Sequence, residues 1–136
     1  MHEVYFSIGT NIGNREANMQ RAIMLIDEKI GAVTRQSSFH DTEPWGFHSN
    51  NRFLNAAVCC VTDKSPHEVL RICQEIEQML GRTKKSVNGE YHDRPIDIDI
   101  LLYDDIIIDT PELKIPHPLM KERDFVMLPL SEILSL

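Results

Sequence analysis

Apolar positions along the chain change period several times, and each change predicts an element. Residues 3–8 alternate well enough for a β-strand, and the following GTNIGN, 9–14, reads as a turn. Met19, Ala22, Ile23, Ile26 and Ile30 then recur at helical spacing, with Gly31 set to stop the helix. A second strand is predicted over 33–41, followed by a turn-rich loop, 43–51, that also holds Trp45 and Phe47. Residues 53–62 are the most β-like of the chain. The second helix is the best marked: Ser65 as N-cap, Pro66 at its first position, Glu68 completing a capping box, and Gly81 at its end. Val69, Cys73, Ile76 and Leu80 make its buried stripe. A polar segment, 82–95, leads into a strand at 96–103, a turn at Asp104-Asp105 and a short strand at 106–108. The tail carries Pro-His-Pro at 116–118 and two short helical pieces.

The order β-α-β-β-α-β predicts an α+β fold of ferredoxin-like type: an antiparallel sheet with helices and an extra hairpin strand, in one domain, 1–136. That fold hosts many unrelated functions, so function has to come from particular residues.

The strand 96–103 raises the chemical question. Alternation puts Ile96, Ile98, Ile100 and Leu102 on one face, and Asp97, Asp99, Leu101 and Tyr103 on the other. The two aspartates then stand about 6.6 Å apart along the backbone, from the ~3.3 Å rise of a strand. Like charges that close repel, and an unpaired buried carboxylate is costly. The apolar neighbours on their own face argue against a simple solvent-facing side. Carboxylates on a rigid strand can share one or two Mg²⁺ ions that also hold substrate phosphates. Along 53–62, Phe53 and Asn55 share one face and Leu54, Ala56 and Val58 the other. A ring beside an amide offers a flat heterocycle a stacking surface and a paired donor and acceptor. A core Phe with a locally bonded Asn is the competing explanation. On the second helix, Gln74 and Glu77 share a face next to the basic segment Arg82, Lys84, Lys85, Arg94; an exposed helix face is the simplest explanation for them.

Bulk properties narrow the class. The net charge of −7 makes a general nucleic-acid binder unexpected, and leaves a local basic loop beside two aspartates as a place for a phosphate-bearing ligand. No apolar run approaches the ~20 residues of a membrane helix, and MHEVYFSIG has neither a basic leader region nor a cleavage site. A cytoplasmic protein without membrane or nucleic-acid partners, acting as a monomer, is expected. Three cysteines, with Cys59 and Cys60 pointing to opposite faces of a strand, form neither a disulfide framework nor a zinc pattern. The glycine loop 9–13 fits neither the P-loop nor the dinucleotide fingerprint.

SIGTNIGN at 7–14, SSFHDTEPWG at 37–46, FLNAAV at 53–58, IEQMLGR at 76–82, DRPIDIDILLY at 93–103 and IPHPLMKERDFVMLPL at 115–130 occur in that order. Together they make the chain resemble the 6-hydroxymethyl-7,8-dihydropterin pyrophosphokinases of folate biosynthesis, over essentially its whole length. The resemblance implies transfer of pyrophosphate from ATP to the pterin hydroxymethyl group, with release of AMP and two Mg²⁺ ions as cofactors. It implies Asp97 and Asp99 as metal ligands and, with Arg82 and Arg94, as catalytic residues, Asp97 being the candidate proton acceptor. Thr42, Pro44, Trp45, Gly46, Phe53, Asn55 and Phe125 match pterin-binding positions, the two phenylalanines as a sandwich. Gln74, Glu77, Arg82, Lys84, Tyr91, Arg94, Ile100, His117 and Arg123 match ATP-side positions. The chain departs from the family pattern within 84–92, where Tyr91 stands in place of a common Trp or Phe, and at Glu112 and Lys114 on the adenosine side.

Two other readings stay open at this level: a palm-like two-metal nucleotidyltransferase, which would not need Phe53, Asn55 and Phe125, and a ferredoxin-like small-ligand regulatory module, which would not need both aspartates. Segments 44–52 and 82–94 carry little apolar surface of their own and are expected to be mobile in the free protein, the second ordering around MgATP.

Overall fold

The computed structural model describes residues 1–43, 51–81 and 95–134. In chain order it contains β1 (His2–Thr10), α1 (Arg15–Lys29), β2 (Ala32–Gln36), β3 (His40–Thr42), β4 (Phe53–Thr62), α2 (Pro66–Met79), β5 (Asp97–Tyr103), β6 (Ile108–Asp109), β7 (Lys114–Ile115), a single 3₁₀ turn (Met120–Glu122) and α3 (Asp124–Ile133). The main sheet runs β2-β4-β1-β5, with β3 following β2 along the same edge of β4. Every pairing is antiparallel. This is the ferredoxin-like arrangement expected from the element order.

Two apolar layers sandwich the sheet. Val4, Phe6, Ile8, Leu54, Ala56, Val58, Ile98 and Ile100 pack under α1 and α2, with Met19, Ile26, Val69 and Ile76. On the opposite face Tyr5, Ala57, Cys59 and Leu101 meet Val126, Leu130 and Ile133 of α3. Cys59 and Cys60 therefore do point to opposite faces, and all three cysteines are buried and outside any disulfide. Burial pushes the Cys60 thiol up to about 12, which leaves it inert.

Local chemistry explains the helix ends. The Asn14 side chain accepts from the Ala17 N–H at 3.1 Å to open α1. At its end Gly31 lies so close to β4 that a Cβ would stand 1.9 Å from the Val61 carbonyl oxygen, so only glycine fits there. The capping box at Ser65 and Glu68 opens α2 as predicted, and Gly81 leaves it at φ +99°. Hydrogen bonds from Ser65 hold the Glu68 carboxyl below its ordinary range. Ser65→Ala should lower stability by about 1 kcal/mol in urea unfolding.

The structure departs from the pattern reading in four places, each for a local reason. β1 continues through Gly9 and Thr10, which pair with β4 instead of starting the turn. The strand predicted over 33–41 is broken between β2 and β3, because the Ser37 side chain takes the Ala57 N–H in place of a backbone carbonyl. A register shift in the β1–β5 pairing, opposite Tyr5 and Phe6, leaves Leu101 unmatched and reverses the alternation beyond it. Tyr103 consequently enters the main core, where its hydroxyl donates to the Lys64 carbonyl at 2.6 Å, and Leu102 turns toward α3. The hairpin strand is Ile108–Asp109; it pairs with β7 in a sheet of its own, and Ile106 and Ile107 precede it with exposed side chains.

Candidate active site

α3 covers only part of its face of the sheet, and the register defines what lies on the rest. Gly9 pairs with Asn55 on one side and Asp97 on the other; Ser7 pairs with Ala57 and Asp99. His40 lies across from Asn55 on β3, and Thr42 across from Phe53. Cross-strand partners share a face, so Asp97, Gly9, Asn55 and His40 form one row across four strands. With strands ~4.8 Å apart, Asp97 and Asn55 are separated by about 10 Å. Between them Gly9 contributes no side chain, and a Cβ there would stand 3.0 Å from the Asn55 Oδ1. The result is a trough floored by backbone, with Asn55 on one wall and a carboxylate on the other. A glycine inside a strand is the usual sign of such a close approach, a signal that the turn reading of 9–14 passed over.

Asn55 is nearly fully buried, and its Nδ2 donates to the Thr42 hydroxyl at 2.6 Å. That bond orients the amide and turns its oxygen toward the trough. Phe53 is buried beside it; Phe125 is half-buried at the start of α3, with the Arg123 guanidinium 5.5 Å from its ring centre. Asp41 points away from this row and pairs with Arg52 and Arg15, whose hydrogen bonds hold its carboxyl below the usual range.

On β5 the alternation places Asp97 and Asp99 on the trough face, both half-buried, as expected. Glu77 behaves differently from an exposed helix residue. It is 3% exposed, and its carboxylate accepts from the Ile98 N–H at 2.8 Å. That N–H is one β1 does not take, so α2 grips β5 between the two aspartates and fixes their spacing.

Beyond β5 a cleft of about 280 Å³ is lined by Leu70, Gln74, Asp99, Ile100, Leu113 and His117, among others. Four residues proposed from sequence (Gln74, Asp99, Ile100, His117) thus border one space; Leu70 and Leu113 are additions no local pattern distinguishes from core. His117 is fixed twice: its N–H donates to the Leu101 carbonyl at 3.0 Å, and its Nδ1 accepts from the Leu119 N–H at 3.3 Å. The second bond assigns the ring hydrogen of the neutral tautomer to Nε2. Arg123 is buried at the N-terminus of α3. Pro44, Trp45, Gly46, Arg82, Lys84, Tyr91 and Arg94 lie outside the described residues, as do most of loop 44–52 and all of loop 82–94.

The donor set suits one class of metal. Among the described residues no group of three or more His, Cys, Asp or Glu side chains converges, which disfavours a protein-caged transition metal there. A pair of strand carboxylates is what Mg²⁺ takes when water and substrate phosphates complete its shell. Among the described residues no helix is long and apolar enough to cross a membrane.

Comparison with known proteins shows the family. The family described as 7,8-dihydro-6-hydroxymethylpterin-pyrophosphokinase (HPPK) matches residues 5–135. A 2-amino-4-hydroxy-6-hydroxymethyldihydropteridine pyrophosphokinase of Porphyromonas gingivalis is 47% identical over 131 residues, covering 96% of this chain and 89% of its own. The Bacillus subtilis protein of the same name is 42% identical, covering 95% of this chain and 76% of its own. Among solved structures, a Plasmodium falciparum HPPK-DHPS superposes with a TM-score of 0.73 at 17% identity, covering 96% of this chain; this chain spans only 40% of that longer one, and the likeness is one of fold. The chain belongs to the 7,8-dihydro-6-hydroxymethylpterin-pyrophosphokinase family.

Proposed function

We propose that the trough and the cleft are two halves of one site, the pterin lying over Gly9 beside Asn55 and ATP entering the cleft, with Asp97 and Asp99 where they meet. The chain transfers pyrophosphate from ATP to the hydroxymethyl group of 6-hydroxymethyl-7,8-dihydropterin and releases AMP, a step of folate biosynthesis. The observation that carries the site assignment is the register of β1: Gly9 stands between Asn55 and Asp97, while Asp99 lines both the trough face and the cleft.

On this reading Asn55, oriented by Thr42, reads the edge of the pterin ring, and Phe53 and Phe125 flank its faces. Pro44, Trp45 and Gly46 complete that side by family resemblance. Gln74, Ile100 and His117 border the adenosine end. Arg82, Lys84, Tyr91, Arg94 and Arg123 belong to the phosphate side by the same resemblance. Glu77 acts one step removed, by holding Ile98 and so the spacing of the aspartates. Two Mg²⁺ ions held by Asp97 and Asp99 would supply charge neutralisation of the triphosphate and acidify the hydroxymethyl group. The chain's own contribution is to bring the hydroxymethyl oxygen in line with the bond to the departing AMP, and to accept its proton at Asp97. The same proposal takes the protein to act as a monomer in the cytoplasm.

Incubation with ATP, Mg²⁺ and hydroxymethyl-dihydropterin should yield AMP and pterin diphosphate in equal amounts. Pyrophosphate release would instead indicate a nucleotidyltransferase, and no turnover a binding module. Gln74→Ala should raise the KM for ATP by about three- to tenfold, the worth of one hydrogen bond, and leave the pterin KM unchanged.

A further inference from the structure

Glu132, near the end of α3, gathers three donors from the far edge of the sheet. Its carboxylate accepts from the Ser38 N–H at 2.9 Å, from the Ser38 hydroxyl at 2.9 Å, and from the His40 Nε2. The geometry exists because the edge strand breaks there. Ser37 keeps the ladder through its own N–H to the Ala57 carbonyl and its side chain from the Ala57 N–H, both at 2.9 Å, which frees the next residue, Ser38, to turn its N–H outward. These bonds, led by the one from the Ser38 backbone, hold the Glu132 carboxyl below its ordinary range.

His40 occupies the same cross-strand row as Asn55, Gly9 and Asp97. The flank of α3 that carries Glu132 is therefore the flank turned toward the trough. Val126, Leu130 and Ile133 form the stripe that α3 buries against the sheet, beside that flank. Phe125 lies seven residues before Glu132, about two turns and so on the same flank at ideal helical spacing, with Pro129 inside the helix between them. The rotation of α3 that lets Glu132 reach His40 and Ser38 is thus the rotation that turns Phe125 to the same flank as Glu132.

We infer that Ser38, His40 and Glu132 form a clasp that sets the rotation of α3 and thereby positions Phe125 against the pterin. This rests on the trough being the pterin site. None of the three touches the substrate; they are positioning residues, and neither the family resemblance nor the apolar packing of α3 assigns them a part in the reaction.

Glu132→Ala should raise the pterin KM about tenfold, since a wall displaced by about 1 Å is enough for losses of that order, with the ATP KM within twofold of wild type. Glu132→Gln, which keeps an acceptor for the Ser38 N–H, should restore most of the pterin affinity. His40→Ala should raise the pterin KM in the same selective way, and combining it with Glu132→Ala should add little. Unchanged KM values with only a lower Tm would overturn the inference, leaving a brace for stability; so would equal rises for both substrates. Should Glu132→Ala fail to fold, His40→Ala decides by the same criterion. Asn55→Leu run in parallel separates the two ideas: if it fails to weaken pterin selectively, the trough assignment falls, whereas failure of the clasp variants alone removes only the clasp.

Discussion

Replacing Asp97 or Asp99 by asparagine should lower kcat/KM at least about a hundredfold while leaving the fold intact, the loss expected when one group that stabilises transition-state charge is removed. The fold should survive because the change is isosteric and both side chains are half-buried on the open face, outside the two apolar layers. Stability measured by thermal unfolding should therefore change little while activity collapses. That split between stability and activity distinguishes ligands of a cation from structural residues. A variant turning over near the wild-type rate would remove the metal assignment for that residue.

Asn55→Leu should weaken pterin binding by about 1–3 kcal/mol, or roughly tenfold to a hundredfold, with ATP binding preserved. The amide is nearly buried and oriented by the Thr42 hydroxyl, so its oxygen is already aimed where a ring edge would lie. Leucine keeps the volume and removes the acceptor, leaving the ring edge without its partner. Calorimetry with pterin and with a non-hydrolysable ATP analogue in separate titrations gives the two affinities. Equal losses for both ligands would assign Asn55 to the structure of the sheet alone. Gly9→Ala offers an independent check: its Cβ would stand 3.0 Å from the Asn55 oxygen and fill the trough floor, so it should resemble Asn55→Leu in selectivity.

Much of this architecture was legible because local signals and tertiary demands coincide. The Ser65–Glu68 capping box, the period of α1 and the alternation of residues 97–100 each have one physical solution, and the structure adopts it. What escaped was decided by partners distant in sequence. The Leu101 bulge depends on how β5 meets β1, so the facing of Leu102 and Tyr103 could not be read from β5 alone. The break at Ser37 exists because its side chain replaces a carbonyl in the β4 ladder, and the Ser38–Glu132 bond spans 94 positions. Glu77 looked like a member of an exposed pair with Gln74; only the arrival of β5 turns it into a buried anchor for the Ile98 N–H. Asp97, Asp99 and Asn55 stand out by residue chemistry, since each is an unusual choice for its place on a strand, and Phe53 stands out only by sharing the face of Asn55. Gly9 reads as part of a turn because it opens GTNIGN, and only the row it interrupts places it in the strand.

If Asp97 and Asp99 hold metal ions together with the phosphates of ATP, counting those ions is the most direct test. Manganese titrated into the protein with a saturating non-hydrolysable ATP analogue, followed by electron paramagnetic resonance, should show about two bound ions per chain, the number that a paired-carboxylate phosphate site accommodates. Asp97→Asn and Asp99→Asn should each lose at least one of them while the analogue still binds. The same ion count in both variants as in the wild type would contradict the account.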